Sequence, residues 1–94
     1  MDFDPVLNHA LHELGALMAH GELVRARERA HALLQRYPDQ TEVWRLSGVC
    51  ALQQGDFAQA ESMAARSNTW AGGDSTLRAE NQRIIEEARS RRAR

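Results

Sequence analysis

Lysine is absent from this chain, cysteine occurs once, and no apolar run approaches the length of a membrane span. Each absence narrows what the protein can be. With Cys50 alone, neither an intramolecular disulfide nor a multi-cysteine metal site can form, which fits a reducing compartment. A bilayer crossing needs ~20 mostly apolar residues. The opening MDFDPVLNHALHEL carries acids and histidines where a secretory leader has a basic start and an unbroken apolar core. A soluble cytoplasmic protein is expected. The 12 basic residues, all arginine, nearly balance 13 acids, so no global field steers the chain toward nucleic acid or an anionic membrane. Nucleotide composition explains the missing lysine as readily as guanidinium geometry does. Aromatics are only 5% of the 94 residues. A single domain of this size buries about two-thirds of its unfolded surface, so the core is thin.

What is present is helical periodicity with clear punctuation. Asp4-Pro5 predicts a helix start, and Val6, Ala10, Leu14, Leu17 and Met18 follow at three- and four-residue intervals, with Leu7 and Leu11 widening the stripe. Gly21 closes this helix. A second helix over residues 22–36 turns Leu23, Ala26, Ala30, Leu33 and Leu34 inward and leaves Arg25, Arg27, Glu28 and Arg29 to water, until Tyr37-Pro38-Asp39 stops it. Residues 43–64 read as two more helices folded across Gln54-Gly55-Asp56. Small residues (Gly48, Ala60, Ala64) stand where these must touch, and Trp44 and Phe57 plug the ends. Residues 68–75 are a loop by composition, with Gly72-Gly73 breaking the helix and Asp74 or Ser75 able to cap the next. Beyond it, Leu77, Ile84, Ile85 and Ala88 form a narrow stripe on a charged helix, the pattern of a cap that covers a helix pair and faces water. Trp70 falls in the predicted loop, packed beneath that cap or, on the rival reading, exposed as an anchor for a partner.

Comparing the chain with itself supplies the organisation. Gly21 matches Gly55, Glu22 matches Asp56, Leu23 matches Phe57, Ala26 matches Ala60 and Ala30 matches Ala64, all at one separation of 34 residues. Antiparallel helices approach closely only where crossing points carry Ala or Gly. With these residues in register, residues 7–74 resemble two tandem tetratricopeptide repeats, 7–40 and 41–74, followed by a capping helix over 75–94. The second repeat carries Trp44, Gly48, Gly55, Phe57, Ala60 and Ala64 on the family's signature positions, but Ser47 replaces a usual Leu and Gly72 the repeat-ending Pro. The first keeps Gly21, Ala26, Ala30 and Pro38, with Ala10 for Trp and Glu13 for Leu, as suits a terminal repeat. The resemblance implies an all-α, right-handed stack of five antiparallel helices.

Chemistry is sparse. His9, His12, His20 and His31 lie in the first half, and His9, His12 and Glu13 could outline a surface metal site, but no third strong ligand is fixed in place and His9 is expected to face the neighbouring helix. Cys50 reads as a packing residue whose burial raises the thiol pKa. There is no glycine-rich phosphate loop, no nucleophile–base pair and no catalytic serine motif, so neither an enzyme nor a cofactor is expected. Arg89, Arg91, Arg92 and Arg94 crowd the last turns. They suit a helix C-terminus, and with Glu80, Glu86 and Glu87 nearby and no aromatics to stack bases, nucleic-acid binding is not favoured.

The resemblance assigns function to a concave surface lined by the first helix of each pair. The matching positions are Leu11, Gly15 and Met18, then Arg45, Val49, Leu52 and Gln53, with Arg83 and Glu87 from the closing helix. Family members that grip a partner's C-terminal carboxylate use Lys and Asn where this chain has Leu11 and Gly15, so that clamp is absent and Arg45 is the one obvious charged handle. An apolar strip of this kind suits an amphipathic helix or an extended apolar segment, although Leu11, Met18, Val49 and Leu52 could equally be core. Three functions stay open: an adaptor binding a protein or peptide in its groove, a secretion or assembly chaperone shielding an aggregation-prone bacterial subunit, or a structural homodimer supplying the surface that two repeats lack.

Overall fold

The computed structural model describes residues 4–93. Among them the backbone forms five helices and no strand: α1 (Pro5–Ala19), α2 (Leu23–Arg36), α3 (Thr41–Gln53), α4 (Phe57–Trp70) and α5 (Ser75–Arg92). None is long and apolar enough to cross a membrane. At the start of α1 the Asp4 carboxylate accepts from the backbone N–H groups of Val6 (3.0 Å) and Leu7 (3.1 Å), and Pro5 occupies the position where a missing donor costs nothing. Asp74 opens α5 in the same way, accepting from Leu77 N–H at 3.1 Å. The ends of α1 and α3 are one device used twice. Gly21 (φ +74°) and Gly55 (φ +79°) take the left-handed conformation. The Glu22 and Asp56 amides then donate back to the Leu17 and Ala51 carbonyls, both at 2.9 Å. These two turns fold α1 onto α2 and α3 onto α4.

The second hairpin is the tighter of the two. A Cβ on Gly48 would stand 3.4 Å from both the Ala60 carbonyl oxygen and the Ala64 amide nitrogen, so the backbones of α3 and α4 nearly touch. In the first hairpin the repeat-equivalent position is Leu14, fully buried, and its side chain fills the space that the second hairpin eliminates. The interior has two parts. Leu14, Met18, Ala26, Ala30, Leu33, Val43 and Cys50 pack between α1, α2 and α3, while Ala51, Leu52, Ala60, Ala64, Ile84, Ile85 and Ala88 pack between α3, α4 and α5. Val49 touches both. Among the described residues, seven of the fifteen buried apolar side chains are alanine, so few side chains supply most of the buried area.

Polar ties hold successive layers in register. Arg27 is half-buried rather than left to water: it donates to Gln54 (2.9 Å), Asp56 (2.9 Å) and Gln59 (2.5 Å), binding α2 to the α3–α4 turn. The equivalent residue one repeat later is Glu61, which accepts from Arg89 at 2.8 Å and pairs with Arg92 at 2.9 Å, binding α4 to α5. The arginine-rich end is therefore folded back, with Arg91 lying 4.8 Å from the centre of the Phe57 ring; Arg94 lies outside the described residues. A buried polar knot joins the last three helices. Thr41 donates to the Ser67 carbonyl (2.8 Å), Ser67 Oγ donates to the Thr41 carbonyl (2.9 Å), and the fully buried Asn81 amide donates to Ser67 Oγ (2.8 Å) and Asn68 Oδ1 (3.0 Å).

Those contacts also explain where the loop expected over residues 68–75 differs. α4 continues through Trp70, because Ser67 and Asn68 are held by α3 and α5 despite the modest helix propensity of Asn and Thr. Trp70 ends that helix with 46% of its surface exposed instead of lying beneath the cap.

The Glu61 pairs give the fold an acid sensitivity. The hydrogen bond from Arg89 leads in holding the Glu61 carboxyl below its ordinary value, against a smaller opposing effect of burial. A depressed carboxyl stabilises the fold above its unfolded-state value, and that contribution is lost as pH falls through the lower folded-state value. Thermal melts followed by circular dichroism should show stability declining below pH ~4, with a shallower acid slope in Glu61→Gln. An unchanged slope in that variant would remove the Arg89–Glu61 tie as its cause.

Candidate functional site

Packing α3 against the first hairpin leaves a furrow between α1 and α3. Leu11 and Gly15 from α1 face Arg45 and Leu46 from α3, with His12 and Glu42 beside them. Leu11 and Leu46 are half-buried, resting on the first core cluster with part of each side chain still open. Gly15 is helical, yet a Cβ placed there would meet nothing within 4 Å. It contrasts with Gly48, whose smallness is demanded by the opposing backbone.

Arg45 is not a free handle. Its Nε and Nη2 donate to the two carboxylate oxygens of Glu42, both at 3.0 Å, and Nε lies 3.4 Å from Glu80 of α5. The bidentate bond to Glu42 is the main reason its guanidinium holds its proton more tightly than usual. Two carboxylates therefore surround one cation, and this part of the furrow carries a surplus of negative charge.

The concave strip expected from sequence is thus brought together only in part. Leu11, Gly15 and Arg45 share the furrow. Met18 is 9% exposed and belongs to the first core cluster, while Leu52, also 9% exposed, is covered by Ile84 and Ile85 of the closing helix. Val49 lies between the two clusters. Gln53 faces a different depression, beside Leu23 and Val24. Arg83 is exposed on α5 with no carboxylate at ion-pairing distance among the described residues, and Glu87, also exposed, pairs with Arg91 at 3.7 Å. Sequence reasoning does not assign Leu46, His12, Glu42 or Glu80 to the groove; it weighs His12 only as a metal ligand and Glu80 only as a counter-charge to the C-terminal arginines. The Glu42–Arg45 spacing was a visible signal, since residues three apart on a helix are neighbours; Glu80 is separated from Arg45 by a whole helical layer.

The described residues that line the furrow include no serine, threonine or cysteine. Cys50 is 1% exposed in the first core cluster, where burial pushes its thiol up, partly countered by Arg27. His9, expected to face the neighbouring helix, instead points to solvent with 81% of its side chain exposed, 3.8 Å from Glu13. Among the described residues, no three His, Cys, Asp or Glu side chains converge on a point where a metal ion could sit.

Comparison with known proteins places the arrangement. The sequence profile described as tetratricopeptide repeat matches residues 17–79. Among solved structures, the globular C-terminal domain of LpoP from P. aeruginosa aligns over 98% of this chain and 87% of its own, with a TM-score of 0.91 at 26% identity. No curated protein matches by sequence.

Proposed function

The chain belongs to the tetratricopeptide repeat family, and from that premise we propose that it is a protein–protein interaction module whose α1–α3 furrow receives a helical or extended apolar segment of a partner. Gly15 carries this reading. A glycine inside a helix costs about 0.5–1 kcal/mol relative to alanine, and here no neighbouring atom requires it. Its smallness is accounted for if the surface beside Leu11 and Leu46 has to stay low enough for another chain to lie there. The surplus carboxylate of Glu42 and Glu80 around Arg45 favours an occupant that brings an N–H donor or a cation. A terminal carboxylate would be repelled.

Gly15→Arg separates this role from folding. The substitution adds a side chain where there is room, at a position where helix propensity improves, so the melting temperature should hold or rise. The partner recovered by co-purification with the wild-type chain should no longer be captured. Light scattering across a dilution series, run beside the capture, reveals whether that partner is a second copy. Equal capture by both forms would remove the furrow as the binding surface.

A further inference from the structure

A second surface lies away from the furrow, along the edge formed by the start of α3, the end of α4 and the turn into α5. Trp44 donates its indole N–H to the Pro38 carbonyl at 2.8 Å, and its ring lies 5.0 Å from the Arg66 guanidinium. Trp70 follows Arg66 by one helical turn and is 46% exposed. Arg78 donates to the Gly72 carbonyl at 2.8 Å, in the turn just beyond Trp70. In a chain with two tryptophans, both stand beside this edge. Most described arginines are matched to carboxylates, but neither Arg66 nor Arg78 has one at ion-pairing distance among the described residues. Exposed Trp beside Arg is the composition of binding hot spots, and a guanidinium stacked on an indole is pre-organised to accept an anion in its plane.

We propose that the Trp44–Arg66–Trp70 edge, extended by Arg78, docks an acidic segment of a partner protein, with an apolar side chain against Trp70 and carboxylates on Arg66 and Arg78. The unmatched guanidinium charge selects the sign of that occupant. Asp39, exposed in the loop that Trp44 holds, and Asp74, which caps α5, disfavour a polyanion of unbroken charge such as a phosphate backbone or an anionic lipid surface.

The test is a random-peptide display selection on the immobilised protein. Binding of the enriched peptides is then measured by fluorescence anisotropy against wild type, Arg66→Glu, Trp70→Ala and, as a furrow control, Gly15→Arg. Melting curves establish that each variant is folded, and Arg66→Glu keeps the test decisive if Trp70→Ala is not. The expected result is enrichment of peptides with Asp or Glu flanking an apolar residue, bound about thirty-fold more weakly by either edge variant and unchanged by Gly15→Arg. No enrichment, enrichment without acidic bias, or equal binding to the edge variants overturns the proposal. So does tighter binding of oligothymidylate or phosphatidylglycerol vesicles than of the selected peptides. Loss of binding through Gly15→Arg alone would overturn this edge while supporting the furrow.

Discussion

Leu14→Ala is expected to destabilise the fold by about 2–5 kcal/mol, read as a lower melting temperature and a lower denaturant midpoint with the slope unchanged. Leu14 is fully buried in the first core cluster, where Ala26 and Ala30 are too short to reach into the space it would leave. In a domain of this size each kcal/mol moves the melting temperature by roughly 4–8 °C. The same repeat position in the second hairpin should fail in the opposite sense. Gly48→Leu adds volume where the first added carbon already meets the Ala60 and Ala64 backbone at 3.4 Å, so it overpacks the crossing, at a cost of about 1–3 kcal/mol. A melting temperature unmoved by Gly48→Leu would mean that α3 and α4 do not cross there.

Asn81→Asp should release the closing helix at neutral pH. The Asn81 amide donates to Ser67 Oγ and Asn68 Oδ1, and the Ser67 hydroxyl is already committed to the Thr41 carbonyl. An aspartate would bring a charge and a set of acceptors to partners that offer it no proton, in a place with no solvent access. The expected cost is on the order of 3 kcal/mol, as for other unpaired buried charges. The substituted carboxyl would hold its proton more tightly in the folded state than in the unfolded one. Its penalty should therefore be small at low pH and grow as pH rises, opposite in sign to the Glu61 effect. Asn81→Leu, which removes the polar atoms, should cost less than the charged variant. Thermal melts of the three proteins between pH 4 and 7 would check this, and equal stability of the aspartate variant at both ends would show that Asn81 is not confined as described.

What could be read from sequence followed from spacing. The paired glycines at 21 and 55 and the paired alanines at 26 and 60 are local rules repeated at a fixed interval, and the turns and crossings stand where those rules put them. The same logic could not separate furrow from core. Leu11 and Leu52 occupy matching strips on their helices, and only the placement of α5 decides that Leu52 is covered while Leu11 keeps an open side. Polar residues were the least legible. Arg27 and Asn81 look like solvent-facing side chains in any periodic pattern, and their partners come from elements roughly 13 to 32 residues away. Trp70 was misplaced because its neighbours are weak helix formers, and the side-chain bonds that extend α4 cross to other helices.

Arg27 and Glu61 hold one repeat position with opposite sign, and each joint between layers is thereby keyed. The turn that Arg27 grips presents Asp56, and an incoming hairpin that offered Glu61 there would set acid against acid. A hairpin seated in the wrong layer would therefore meet repulsion where the native one meets an ion pair, and the sign of a single position helps to set the order of the layers.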